Sequence, residues 1–206
     1  MDLRDLFSAW CMLLSFTFTI PQAWRVVRKN TVEGRAVISQ AQGFSGSSMW
    51  VVYGIASAKP FISAGNMMTV LGIGVVLVQM ARLNVLPKQR LALLLVVVYG
   101  FALVMQGISL TVLGVVAGVV GSTGIVPQVW KAARESHLKG VSVSGNLLLA
   151  LTTASWGTYG LMIDDLLLSA GNYAVVLPAL FIAFRAVQSH RRFGDMNSET
   201  LATTQG

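Results

Sequence analysis

The run LALLLVVVYGFALVMQGISLTVLGVVAGVVGSTGIVPQVW, residues 91–130, holds no Asp, Glu, Lys, Arg or His over forty consecutive positions. At ~1.5 Å of rise per residue it makes roughly 60 Å of helix, about twice the ~30 Å hydrocarbon core of a bilayer. It therefore contains two membrane spans. Outward from it lie five more uncharged runs, 6–24, 36–58, 60–81, 140–163 and 166–184. Each is near the ~20 residues that a spanning helix needs. The reading is an all-α membrane protein of seven transmembrane helices.

Composition agrees. Of 206 residues, 54% are hydrophobic and 11% charged, against the ~25% charged residues of an ordinary soluble domain. The net charge of +7 is distributed by topology. Loops 1, 3 and 5 and the C-terminal tail carry Arg25, Arg28, Lys29 and Arg35; Arg82, Lys88 and Arg90; Lys131, Arg134 and Lys139; and Arg185, Arg191 and Arg192. That is 13 of the 15 basic residues, with only Arg4 and Lys59 on the other side. The positive-inside rule puts the N-terminus outside and the C-terminus in the cytoplasm. The basic excess is thus a membrane-orientation feature and not a nucleic-acid surface.

The chain also repeats itself. A shift of 106 residues without a gap superposes Thr17 on Thr123, Pro21-Gln22 on Pro127-Gln128, Trp24 on Trp130, Arg28 on Arg134 and Gly34 on Gly140. It continues with Trp50 on Trp156, Tyr53-Gly54 on Tyr159-Gly160, and Ser63-Ala64-Gly65-Asn66 on Ser169-Ala170-Gly171-Asn172. Each unit has three spans, roughly 6–25, 36–58 and 60–81, then 108–130, 141–163 and 166–185. A three-span unit placed directly after itself would be inverted, so the span at about 91–106 serves to restore orientation. The expected organisation is a first repeat over 1–86, a linker helix over 87–107, a second repeat over 108–190, and a disordered cytoplasmic tail over 191–206.

Proline within a helix removes one backbone hydrogen bond and presses on the carbonyl four residues earlier. Here that carbonyl belongs to Thr17 or Thr123, and in hydrocarbon it has to face protein or a water-filled cavity. One such proline reads as a static kink. Two at equivalent positions, Pro21-Gln22 and Pro127-Gln128, read as paired hinges.

Pro-Gln at the cytoplasmic end of the first helix of a three-helix unit resembles the PQ-loop superfamily. Within it, the loops Thr31-Val32-Glu33-Gly34 and Leu138-Lys139-Gly140-Val141-Ser142-Val143-Ser144 resemble those of the SWEET and SemiSWEET sugar transporters. So do Trp50 with Asn66 and Trp156 with Asn172, each pair sixteen residues apart. SWEET transporters are an established case of parallel repeats related by an axis along the membrane normal. The resemblance covers about 5–186 and is closer in the second repeat, since the first departs at Arg35 and Ala36. It implies that the Trp and Asn pairs contact substrate.

The residues support that role independently. An Asn in mid-span faces the bundle interior or a cavity, serving either as helix–helix glue or as part of a site. Trp24 and Trp130, beside the basic loops, read as interfacial anchors, whereas Trp50 and Trp156 lie deep within their spans. Aromatic planes that pack on the C–H faces of a ring, joined by neutral amides that bond hydroxyls, suit a sugar. Thr17 and Thr123 are expected to line the same cavity. Tyr53 and Tyr159 either share that face or cap the outer end.

Cys11 is the only cysteine, so no intrachain disulfide or cysteine-based metal site forms. Neither a cofactor nor a metal is implied, and no constellation of catalytic groups is present. Asp164-Asp165 read as a solvated turn, and Gly114 with Gly118 as a close-packing stripe. With no ionisable residue inside any span, the expected activity is passive, bidirectional transport of a mono- or disaccharide by alternating access. The partners are then a lipid bilayer and the sugar, and both a monomer and a homo-oligomer stay open. Two alternatives remain: transport of a neutral amino acid or other metabolite, or a non-transporting receptor or partner subunit. The short loops point to a bacterial cytoplasmic membrane.

Overall fold

The computed structural model describes residues 2–32, 36–138 and 141–203, with side chains to Arg192. The loop residues 33–35 and 139–140, on which the repeat of Gly34 with Gly140 and part of both loop motifs fall, lie outside the described residues. Eight helices follow in order: α1 (Leu3–Arg28), α2 (Val37–Ala56), α3 (Pro60–Arg82), α4 (Lys88–Ile108), α5 (Leu110–Thr123), α6 (Val126–Arg134), α7 (Val143–Met162) and α8 (Leu166–Thr203).

Their ends follow local chemistry. The acidic N-terminus is a capping box: Asp2 accepts from the Asp5 N–H at 2.8 Å and Asp5 accepts in return from the Asp2 N–H. Both satisfy N–H groups that the first turn leaves open. Ser142 caps α7 by accepting from the Gly145 N–H, and Pro60 opens α3, where the missing N–H costs nothing. The turns after α2 and α7 are conformational twins, with Ala58 and Asp164 each at φ 55° in equivalent positions of the repeat.

α3 packs against both α1 and α2, and α8 packs against α5, α6 and α7. The two groups meet through α1 on α7 and α2 on α5. One apolar cluster (Cys11, Trp50, Tyr53, Leu113, Trp156, Tyr159) straddles this junction, and two others sit within the separate groups. α4 touches α2, α3 and α5 from outside, with Val98 and Ala102 its buried residues.

Among the described residues, five stretches are long and apolar enough to cross a membrane: Leu3–Arg28, Pro60–Arg82, Lys88–Ile108, Leu110–Arg134 and Leu166–Arg192. Their outward surface is apolar, with Val96 71% and Leu177 76% exposed, an arrangement stable against lipid. The two other helices expected to span, α2 and α7, fall short of that apolarity. They are the ones rich in Ser, Gly, Thr and Asn, and they bury Trp, Tyr and Gly positions against other helices instead of facing outward. Helix surface that meets protein is released from the apolarity that lipid demands.

Two further differences from the sequence reading stand out. The segment 108–130, read as one continuous helix, lies within a single apolar stretch, Leu110–Arg134, that is interrupted at Gly124-Ile125, ahead of Pro127. Proline sits at the start of α6, where its absent N–H is not missed, while Pro21 lies inside an unbroken α1. The segment 191–206, read as a disordered tail, continues α8 as far as Thr203 within the described residues, because extending a formed helix needs no new nucleus.

Candidate substrate-binding site

Where the two groups meet, a cavity of about 180 Å³ is lined from both sides. Trp50 of α2 and Asn66 of α3 face Trp156 of α7 and Asn172 of α8 across it. Ser15 and Phe18 of α1, Ser47 of α2, Thr69 of α3, and Thr152 and Thr153 of α7 complete its polar and aromatic lining. None of the lining residues is ionisable, and none belongs to α4, α5 or α6.

The repeated tetrapeptide explains how this wall is built. Ser63 and Ser169 sit against Gly54 and Gly160, whose missing side chains let the next helix approach: a Cβ on Gly54 would lie 2.8 Å from the Ser63 nitrogen, and one on Gly160 2.9 Å from that of Ser169. Gly65 lies under the Trp156 indole, and any Cβ there would collide with the ring. Gly171 lies beside the other indole, but a Cβ there would meet Trp50 Cζ2 at an ordinary 3.5 Å and be tight only against Gly118 Cα at 3.1 Å. Gly65 therefore seats the tryptophan of the opposite repeat, and Gly171 lets α8 approach α5. Each tryptophan also meets a tyrosine edge-on, Trp50 with Tyr53 at 5.2 Å and Trp156 with Tyr159 at 5.7 Å.

The amides are oriented by their own helices. Asn66 Nδ2 donates to the Ile62 carbonyl at 3.0 Å and Asn172 Nδ2 to the Leu168 carbonyl at 2.8 Å. Only the amino group can donate to a carbonyl, so the bond fixes the amide flip and leaves each Oδ1 free of that contact.

Thr17 and Thr123 are not brought to the cavity. Both are exposed, and their hydroxyls donate to the carbonyls of Leu13 and Val119 one turn back. Thr123 Oγ1 also accepts from Gln42 Nε2 at 3.0 Å, beside the α5–α6 break. On α1 the cavity positions are Ser15 and Phe18, because residues two and one away from Thr17 point around the helix to the other face. Pro21, Pro127 and Gln128 are exposed and Gln22 is half-buried, all away from the cavity lining. Trp24 and Trp130 are 64% and 59% exposed, as interfacial anchors would be, and Arg134 stacks on the Trp130 ring. Gly114 and Gly118 pack inside the chain, against Leu167 and Tyr53 and against Gly171.

One end of the bundle is closed by groups that the sequence reading left as surface. Asp165 is 3% exposed. It accepts from Lys59 Nζ at 2.6 Å, from the Tyr53 hydroxyl at 2.9 Å and from the Leu168 N–H at 3.0 Å. Burial alone would raise its pKa, but Lys59, the Leu168 N–H and Tyr53 together outweigh it and hold the carboxyl below its usual range. Lys59 and Asp165 occupy equivalent positions of the two repeats, so the 106-residue shift contained this pairing and a reading for identities alone passed over it. Tyr53 caps this end and does not line the cavity.

The whole arrangement is similar to that of a eukaryotic SWEET transporter of known structure, with a TM-score of 0.68 at 15% identity over 94% of this chain and 100% of that one. No family model and no curated protein sequence matches the chain. This is an all-helical membrane protein. Its fold is that of a SWEET transporter.

Proposed function

We propose that the chain carries a small neutral sugar across a membrane by passive, bidirectional alternating access. The observation that carries this reading is the uncharged cavity between the two halves, with Trp50 and Asn66 from one and Trp156 and Asn172 from the other. Buried polar groups without charge suit a hydroxylated solute, and flat indoles suit its ring faces. The similar fold of a eukaryotic SWEET transporter supports transport as the activity.

On this reading α1–α3 and α5–α8 are two parallel PQ-loop repeats, α4 is the inverting linker, and α2 and α7 cross the membrane shielded from lipid. Pro21-Gln22 and Pro127-Gln128 act as hinges that rock the repeats about the cavity. Lys59, Asp165 and Tyr53 close the outer end, in a bacterial cytoplasmic membrane with the N-terminus outside. With both repeats in one chain, a monomer has a complete site. A lining without ionisable groups has nothing to bind a proton or a counter-ion, so transport follows the sugar gradient.

The test is counterflow in proteoliposomes with labelled sugars and neutral amino acids, using the wild type and Asn172→Ala. Saturable sugar exchange, lost in a variant that keeps its melting temperature, is the expected result. Exchange of amino acids alone would transfer the site to that substrate class. No exchange of any solute by folded protein would indicate a receptor or partner subunit.

A further inference from the structure

The two halves meet along two seams, α1 on α7 and α2 on α5, which the 106-residue repeat makes equivalent. They are not built alike. Towards α2, the α5–α6 segment carries Gly114, Gly118, Gly121 and Gly124, where α1 carries Ser8, Met12, Ser15 and Phe18. Without those side chains, one face of α2 lies flush on α5. A Cβ on Gly114 would lie 3.1 Å from Tyr53 Cε2, and one on Gly118 3.9 Å from Trp50 Cζ2. Further along, a Cβ on Gly46 would lie 3.0 Å from the Gly121 Cα, so backbone meets backbone. At the end away from Lys59 and Asp165, Gln42 fastens the seam. Its Nε2 donates to the Val120 carbonyl at 3.2 Å and to Thr123 Oγ1 at 3.0 Å. The equivalent residue of α7 is Leu148, which can make neither bond. α4 packs on both α2 and α5 and so straps this seam from outside.

The α1–α7 seam holds the cavity instead. Trp156 Nε1 bonds Ser15 Oγ across it at 2.9 Å, and Trp10 Nε1 bonds Ser155 Oγ at 3.2 Å, nearer the end closed by Lys59 and Asp165. Ser15 and Phe18 of α1 and Leu149 and Thr152 of α7 line the cavity. Their repeat partners are all glycines: Gly121, Gly124, Gly43 and Gly46. The lining is thus displaced from the pseudo-twofold towards α1 and α7.

From this we propose that the two halves turn on the α2–α5 seam and part along the α1–α7 seam, a one-sided swing, with Gln42 as the positioning residue that fixes the turning edge. The inference rests on the transport reading above and says where its motion occurs. Parting α2 from α5 would open a gap between touching backbones, where dispersion is lost within an ångström, and would strip Gln42 of its partners. Parting α1 from α7 widens a space that already exists. The interruption at Gly124-Ile125 lets α6 move with α8, to which the Ala132 carbonyl is bonded by Arg185 Nε at 3.0 Å, while α5 stays on α2.

Thiol pairs at equivalent positions compare the seams: Gln42→Cys with Thr123→Cys, and Leu148→Cys with Thr17→Cys. None of these four residues lines the cavity, and Cys11, 0% exposed, is out of reach of a polar reagent. Each pair is bridged with bis-methanethiosulfonates of graded length and assayed by counterflow of labelled glucose, xylose and sucrose in proteoliposomes. Bridging Gln42→Cys to Thr123→Cys should leave exchange within about twofold of the wild type, whereas bridging Leu148→Cys to Thr17→Cys should lower it about tenfold or more until the bridge is reduced. Gln42→Leu, which installs the residue of the other seam, should lower the maximal exchange rate about fivefold at an unchanged half-saturation concentration. Equal loss on bridging either seam, loss at the α2–α5 pair alone, a pair that no reagent length bridges, or a Gln42→Leu effect confined to half-saturation would each overturn the one-sided swing and leave sugar transport standing. No exchange of any of the three sugars by the wild type would instead remove the transport reading on which it rests.

Discussion

Lys59 and Asp165 stand at equivalent places in two copies of one unit, each just before the last helix of its repeat, and they bond to each other at 2.6 Å. Like charges at two positions brought this close would repel. Opposite charges at the same repeat position convert that meeting into an attraction, and Tyr53 adds a third bond to the carboxylate. The Asp165 side chain is 1% exposed and that of Lys59 29%, so one partner is desolvated and the other still touches solvent.

A double-mutant cycle of Lys59→Met and Asp165→Asn should therefore show a coupling of about 1–3 kcal/mol in thermal unfolding, since the two groups share one bond. Lys59→Met alone should be the more damaging single change, because it leaves a buried carboxylate without its cation. Additive effects within experimental error would show that the pair contributes nothing beyond its separate members.

The same carboxylate sets an acid limit. Its folded-state pKa is depressed, so its contribution is complete above the unfolded value of ~3.9 and is lost as pH falls through the lower folded value. Melting temperature should show no pH dependence from this group between pH 7 and about pH 5, where its contribution is complete, then a loss below about pH 4 that Asp165→Asn lacks. Parallel pH profiles for the two proteins would assign acid sensitivity to other groups.

Gly65 and Gly171 are equivalent in sequence but not in clearance. Gly65→Ala drives a methyl into the Trp156 ring, whereas at Gly171 the nearest atom, Gly118 Cα, would lie 3.1 Å away. Gly65→Ala should cost about 2–3 kcal/mol and alter Trp156 fluorescence, and Gly171→Ala should cost about 1 kcal/mol. Equal costs measured by denaturation would mean that the ring moves aside without penalty.

The prolines should also differ. Pro21 lies inside α1, so Pro21→Ala restores an interior hydrogen bond and should raise stability by about 1 kcal/mol or more while slowing exchange. Pro127 opens α6 and already lacks a bond to lose, so Pro127→Ala should leave stability within about 0.5 kcal/mol. Exchange rates unchanged in both variants would remove the hinge role.

Most of the fold was legible in the chain, for a reason rooted in solvent. Lipid imposes long uncharged runs and basic loops, and duplication writes the same rare residues twice, so the all-helical membrane fold, the repeat register and the Trp50, Asn66, Trp156 and Asn172 quartet that lines one cavity could be read directly. Thr17 and Thr123 were misplaced because the spacing from Pro21 and Pro127 fixes a turn of helix but not the direction in which a side chain points. Asp165 looked like a solvated turn because burial arises from Lys59 and Tyr53, which are 106 and 112 residues away.

By itself, then, the sequence determined that the chain is built of apolar helices, where charge must stay out of the bilayer, and which positions are repeat partners. All of these follow from local composition and period. The tertiary structure decided what those partners do. It broke the fifth helix at Gly124-Ile125, closed one end with Lys59 and Asp165, and gave the Trp156 N–H to Ser15. Hydrogen-bond states such as these depend on distances of a few ångströms between residues far apart in the chain, and no pattern along the chain encodes them.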